Sequence, residues 1–304
     1  MSPERHVALR ALVTGWFSFL HGEATAGDLL AAQTVTAWLG EAGVEHETAF
    51  SPVLGGGPNL DQVDPAEFTH LFFVCGPAAG WQVEGLLERF SHCVKVAVGV
   101  SVLDGTPTDF DVIVSRDGIG RRPDLSLLAS NPLPPVVGLV RTHPQGEYPD
   151  ARPQRVHELI EEALAGCDAS VFEIDTRVDP RQVSNRRPQD VEAIVKRMDA
   201  VVTTRMHGLV LALKQGVPAV AVDVVPTGAK VTAQAQTLAW PAILGTGELS
   251  VERVRGALAW ALSPEARVRA RESARLGRRS LESDVPPLVA EAMAHRGDDG
   301  PLRL

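Results

Sequence analysis

Cysteine is scarce in this chain: Cys75, Cys93 and Cys167 are the only three, and none stands in a CxxC spacing. A disulfide framework and a zinc ribbon are therefore excluded, and a reducing cytoplasm is the expected compartment. Basic charge is short as well. Twenty-nine Lys and Arg against 38 Asp and Glu leave a formal net charge of -9, which excludes a nucleic-acid binder reading phosphate over a broad surface. An anionic ligand would need a local cluster of cations. No apolar run approaches the roughly 20 residues of a membrane-spanning helix. The opening MSPERHVALRALVTGW has no uninterrupted apolar stretch before a small-residue cleavage site, so it reads as a first strand and not as a leader. HExxH, GxGxxG and a clustered carboxylate set are all missing, so neither a metal nor a dinucleotide is expected. No repeat of fixed period occurs. What is present is 44% hydrophobic and 22% charged residues over 304 positions. That is a globular composition with room for two domains, unlike that of a disordered chain, a collagen or a coiled coil.

Apolar runs at residues 7–14, 44–50, 70–75, 94–102 and 111–115 predict strands, with helices over 28–40 and 82–90 between them. Near-continuous apolar runs are expected where both faces of a parallel sheet are covered. Residues 129–135, ASNPLPP, carry three prolines and can be neither helix nor central strand, so they predict a linker. The alternation then restarts. Strands are expected over 136–140, 170–174, 200–204 and 217–222. Helices are expected over 155–165, 188–198, 208–215, 231–239, 250–262 and 264–279. The expectation is an α/β protein with two Rossmann-like domains, 1–131 and 136–296, facing across a cleft, followed by a disordered tail over 297–304.

The most informative stretch is DAVVTTRMHGLVLALKQGVPAVAVDVVPTGAK, residues 199–230. A buried strand runs into Thr203-Thr204-Arg205-Met206-His207-Gly208, and a helix begins at once. Open α/β sheets bind ligands at such strand-to-helix junctions, and a helix N-terminus favours an anion. Arg205 can fork two oxygens of a phosphate or carboxylate. His207 can exchange a proton near neutral pH, and Gly208 permits close backbone approach. Lys230, before another helix, reaches either an anion or solvent.

TTRMHGLVLALKQGVP resembles the arginine–hydrophobic–histidine signature of the polysaccharide pyruvyl transferase family. The opening strand, glycine loop and Gly27-Asp28 helix start are similar to that family's N-terminal half. Ser115-Arg116-Asp117 resembles its Arg-Asp element, and Gly138-Leu139-Val140-Arg141 its strand-end arginine. The resemblance implies a GT-B-like two-domain fold, with the acceptor on the N-terminal side and the donor on the C-terminal side. It implies transfer of pyruvate from phosphoenolpyruvate onto two hydroxyls of a sugar or sugar-containing acceptor, forming a ketal. It further implies donor contacts from Arg205, Met206 through its backbone, His207 and Arg141.

The chemistry agrees with those residue types. Phosphoenolpyruvate packs nearly three negative charges into a small volume, which must be paired if buried. Arg205, Arg141 and the helix N-terminus supply the pairing, and His207 the proton transfer. No cofactor is called for, since phosphoenolpyruvate is itself the donor substrate. Two other readings stay open: a GT-B-type glycosyltransferase or epimerase using a nucleotide sugar, and a non-catalytic anion-binding relative. Simpler roles stand beside each residue. Arg205 can serve as a salt-bridge arginine, His207 as a helix cap, Arg141 as part of a turn and Arg116–Asp117 as a structural pair. His21 and Glu23 are acceptor-side candidates by their place in the first loop. Asp28 is another, although a helix cap also explains it. The basic run ARVRARESARLGRR reads as a solvated helix face, with peripheral contact to anionic lipid as the alternative. Acceptor identity and oligomeric state are not encoded in any motif.

Overall fold

The computed structural model describes residues 9–106, 109–143, 153–181, 183–226 and 229–294. The chain divides into two compact units, Met1–Pro132 and Leu133–Leu304. The tail expected over 297–304 lies outside the described residues.

The first unit is a five-stranded parallel sheet of β1 (Arg10–Thr14), β2 (Glu45–Thr48), β3 (His70–Val74), β4 (Val94–Ser101) and β5 (Val112–Asp117), in the order β2-β1-β3-β4-β5. Side chains alternate across the sheet, and both faces are covered. Ala11 and Val13 face helix α1 (Ala26–Glu41) through Ala31, Val35 and Leu39. Leu12 faces the other way, into a cluster with Leu71, Phe73 and the Val83, Leu86 and Leu87 side of α2 (Trp81–Arg89). A strand buried on both faces must be apolar throughout, which is why these runs were legible.

The second unit repeats the plan with β6 (Val136–Val140), β7 (Ser170–Glu173), β8 (Ala200–Thr203), β9 (Ala219–Val222) and β10 (Ile243–Leu244), in the order β10-β9-β8-β6-β7. All pairings are parallel. Helices α3 (Pro153–Ala165) and α7 (Val251–Ala261) cover one face. Helices α4 (Pro188–Val195), α5 (Met206–Lys214) and α6 (Lys230–Thr237) cover the other, together with Ala270 of α8 (Pro264–Ala294). The chain leaves β6 for its neighbour β7 on one side and then returns to build β8 on the other. The sheet's topological switch point therefore lies between β6 and β8, where the loops diverge and open a crevice. The first sheet has its equivalent between β1 and β3.

Many element ends shift by one to three residues from the sequence reading, and three differences go further. β10 has only two residues, too few for a hydrophobic pattern. Helix α8 continues past the expected end at residue 279, through Pro286 and Pro287, to Ala294; proline removes a backbone donor but keeps a helical φ. Asp28 does not cap α1. Thr25 is the N-cap, and Asp28 sits three residues on, where its carboxylate accepts from Thr25 N at 2.9 Å and Thr25 Oγ1 at 2.8 Å in a capping box.

Candidate functional site

The four residues of β8 are fully buried, and the chain turns sharply as it leaves them. The Thr203 hydroxyl makes that turn. Its Oγ1 accepts from Arg205 N at 3.0 Å and donates to Arg205 O at 2.9 Å. Arg205 then stands as the N-cap residue of α5, with extended backbone and no side-chain cap bond. Helix α5 forms because Leu209, Ala212 and Leu213 bury one stripe. It ends at Gly216, whose φ of +70° admits the left-handed stop. Gly216 N donates to Leu213 O at 2.8 Å and Val217 N to Ala212 O at 2.9 Å, satisfying the last carbonyls.

Gly208 serves packing. It is buried, and a Cβ there would lie 2.2 Å from Thr203 Oγ1 and 3.0 Å from Val140 Cγ1. Its absent side chain lets α5 settle against the ends of β6 and β8, and so fixes where Arg205, Met206 and His207 emerge. Gly208 supports the cavity from behind and does not line it.

That cavity has a volume of about 460 Å³. Its polar lining is Thr142, Thr176, Thr204, Arg205, His207, Asp223 and Lys230, and Met206 contributes to the wall. Val178, Val191, Leu211, Val224, Val225 and Val231 form an apolar side. Four of the residues singled out in the sequence, Arg205, Met206, His207 and Lys230, are thus brought together at the switch point of one sheet. His207 is exposed, while the Arg205 side chain is only 17% accessible.

Arg205 is held in place. Its Nη1 donates to Thr176 Oγ1 at 2.9 Å and lies 3.9 Å from Asp175 Oδ1. Asp175 is itself paired with Arg177, whose Nη2 and Nε reach Oδ2 at 2.7 and 2.9 Å. Those hydrogen bonds hold the Asp175 carboxyl below its ordinary range. Asp175 stays ionised, so the guanidinium of Arg205 has an anion beside it without being locked into a bidentate pair.

Asp223, 1% exposed at the end of β9, organises the opposite wall. Its carboxylate accepts from Val225 N at 3.1 Å, Ala229 N at 2.8 Å, Thr232 N at 2.9 Å and Thr232 Oγ1 at 2.9 Å. It ties the loop after β9 to the start of α6 and so carries Lys230 to the cavity. Thr204 links the two strands of the switch point. Its Oγ1 accepts from Thr142 N at 2.8 Å and lies 3.1 Å from His157 Nε2. Burial, helped by the charge of Arg141, pushes the His157 imidazole below its ordinary value. The Thr204 hydroxyl can therefore donate to Nε2 of a neutral ring. Thr142, Thr176 and Asp223 were missed in the sequence. Asp223 follows directly on β9, and Thr142 and Thr176 lie two and three residues past the ends of β6 and β7; a place just beyond a strand is the one signal that could have found them.

Arg141 lines a separate, neighbouring cavity of about 460 Å³ with His143, His157 and Asp175. It is ion-paired to Glu173 at 2.7 Å and, in a short contact, to Glu161. The Glu173 hydrogen bond chiefly raises its already high pKa.

In the first unit, His21, Glu23 and Asp28 line a cavity of about 450 Å³ with Trp16, Thr25, Gly76 and Pro77. It lies at the β1/β3 switch point. Trp16 crosses it, with Nε1 donating to Pro77 O at 2.9 Å and its ring over Gly76, where a Cβ would come within 2.4 Å. Arg116 pairs with Asp117 at 3.2 Å and with Asp124 at 2.7 Å. Cys75, next to Gly76, has its thiol pushed up to about 11 by burial, which favours the protonated form near neutrality. Among the described residues, no group of three or more His, Cys, Asp or Glu could hold a metal ion, and no helix is long and apolar enough to cross a membrane.

A model of the polysaccharide pyruvyl transferase family matches residues 122–224, the stretch that contains Arg141, Asp175, Thr204, Arg205 and His207. No curated protein matches the sequence. Among solved structures, the chain is similar to the spinosyn rhamnosyltransferase SpnG, with 13% identity, 94% of this chain and 100% of that chain covered, and a TM-score of 0.38. It is also similar to HepE of Anabaena, in complex with UDP and glucose (12%, 94% and 99%, TM-score 0.35). A third likeness is to the UDP-GlcNAc 2-epimerase of Methanocaldococcus jannaschii (10%, 90% and 99%, TM-score 0.30). At such low scores the fold rests on the strand order of the two sheets.

Proposed function

We propose that the protein is a pyruvyl transferase that takes phosphoenolpyruvate as donor and builds a pyruvate ketal on a sugar-containing acceptor. One observation carries this reading. Arg205, His207 and Lys230 converge on one cavity at a sheet switch point, at the start of α5, inside or beside the stretch that the family model matches. Arg205 and Lys230 pair the carboxylate and phosphate of the donor, and the α5 N-terminus adds a favourable dipole.

In the proposed reaction the methylene C3 takes a proton and becomes a methyl group, leaving C2 electrophilic. One acceptor hydroxyl bonds to C2. The C2–O bond to phosphate then breaks, and the second hydroxyl closes the ketal. Of the two hydroxyl protons, one balances that added to C3 and the other leaves with inorganic phosphate. His207, exposed at the cavity mouth, moves a proton in this sequence. Thr176 and Asp175 position Arg205, and Asp223 positions Lys230. Arg141, neutralised by Glu161 and Glu173, takes part only if the donor displaces one of those carboxylates. The cavity at His21, Glu23 and Asp28 is the proposed acceptor side.

A nucleotide-sugar donor is the second reading, and the apolar wall of Val178, Val191, Leu211, Val224 and Val225 favours it. A cavity of about 460 Å³ exceeds what one phosphoenolpyruvate fills. Thermal unfolding separates the two. Phosphoenolpyruvate at a hundredfold excess over Kd stabilises a binding protein by about 2.7 kcal/mol. It should raise the melting temperature where UDP- and GDP-sugars, phosphate and sulfate at matched ionic strength do not. A shift from nucleotide sugars alone would install the second reading.

A further inference from the structure

Helix α8 carries a surface that the transfer chemistry does not use. Arg271, Arg275 and Arg278 recur at three- and four-residue spacing on one face, with Arg279 beside them. With Lys214 they line a groove of about 550 Å³ between α8 and the end of α5, and Glu282 is the one acidic residue in its wall. Lys214 is paired with Glu192 at 2.6 Å, and Arg278 donates to Lys214 O at 2.9 Å. Arg271, Arg275 and Arg279 have no hydrogen-bond or ion-pair partner among the described residues. Clustered like charges repel one another unless an anion joins them. Here they gather on a protein whose overall charge is -9.

The same face continues beyond the groove. After Glu282 the spacing brings Val285, Val289 and Met293, all exposed, with Leu281 and Leu288 flanking them. From Arg271 to Met293 the stripe runs about 33 Å at 1.5 Å per residue. It is basic in its first half and apolar in its second. Asp284 and Glu291 fall on the opposite side of the helix by the same spacing. An apolar stripe alone would not say what covers it. The row of arginines leading into it, three of them without a partner among the described residues, selects a partner that offers negative charge and hydrocarbon together.

We propose that α8 seats the protein on an anionic phospholipid surface. Arg271, Arg275 and Arg279 take headgroup phosphates, and Val285, Val289 and Met293 enter the acyl boundary. The net charge of the whole molecule does not prevent this, because screening limits each charge to about 8 Å at physiological salt. The inference is independent of the donor chemistry and stands whichever ligand the Arg205 cavity takes.

Co-sedimentation of the full chain with vesicles tests it. One set is phosphatidylcholine alone, and the other is equal parts phosphatidylcholine and phosphatidylglycerol. Binding is expected only to the second and should fall as salt is raised. The Arg271→Gln/Arg275→Gln/Arg279→Gln variant should bind at least about tenfold more weakly, and Val285→Asp/Val289→Asp should weaken binding at unchanged arginine content. All five positions are exposed, so both variants should keep the wild-type melting temperature. Equal binding to both vesicle sets, no binding to either, or unchanged binding by the arginine variant would overturn the proposal. So would a dimer in lipid-free solution that Val285→Asp/Val289→Asp dissolves, which would assign the stripe to a second copy. A saturable melting shift from soluble glycerophosphate without vesicle binding would overturn it in favour of a small-anion site.

Discussion

Thr176 holds Arg205: the guanidinium Nη1 donates to the threonine hydroxyl at 2.9 Å, from one strand-end loop to another. The arginine at the centre of the site is thus aimed before any ligand arrives. Thr176→Val keeps the shape of the side chain and removes the acceptor. Phosphoenolpyruvate should then bind roughly twofold to tenfold more weakly, the ~0.5–1.5 kcal/mol of one net hydrogen bond, with little change in melting temperature. Unchanged affinity, measured by titration calorimetry, would mean that Asp175 alone positions the arginine.

Gly208 is required by packing. Its absent side chain faces Thr203 Oγ1, whose two bonds to Arg205 fix the turn out of β8. Gly208→Ala must push that hydroxyl aside or lift α5, at a cost of about 1–3 kcal/mol. The measurement is a denaturant midpoint, and donor affinity should fall with it. A variant as stable as wild type would show that α5 has room to move.

His157 gives the second unit an acid sensitivity. Its imidazole is held neutral by burial, with its pKa below the ordinary 6.5. As pH falls through 6.5, the unfolded chain takes up a proton that the native ring resists, so stability drops toward the depressed native pKa. Above 6.5 the full contribution is present. In His157→Gln the unfolding midpoint should change less between neutrality and mildly acidic pH than in wild type. Identical slopes would remove His157 from the balance.

The sheets were readable because both faces of each central strand are covered, which forces continuous apolar runs such as those around Leu12, Val201 and Val220. The Arg205 junction was readable because strand, turn and helix are contiguous there. What was hidden depends on partners far along the chain. Arg141 turns to Glu161 and Glu173, 20 and 32 residues away, and lies in another cavity than the one expected. Thr176 acts on a residue 29 positions on, and Asp223 closes a loop that no motif marks. Asp28 resembled a cap because the true cap, Thr25, sits three residues earlier in a polar loop.

The most direct test is titration of phosphoenolpyruvate into wild type, Arg205→Ala and Arg205→Lys, with UDP-glucose and inorganic phosphate as controls. Wild type should bind phosphoenolpyruvate in preference to both controls. Arg205→Ala should lose about 2–5 kcal/mol of that binding, and Arg205→Lys should recover only part of it, since lysine cannot bridge two oxygens in one plane. Wild-type affinity in Arg205→Ala, or preference for UDP-glucose over phosphoenolpyruvate in the unmodified protein, would contradict the proposed donor site.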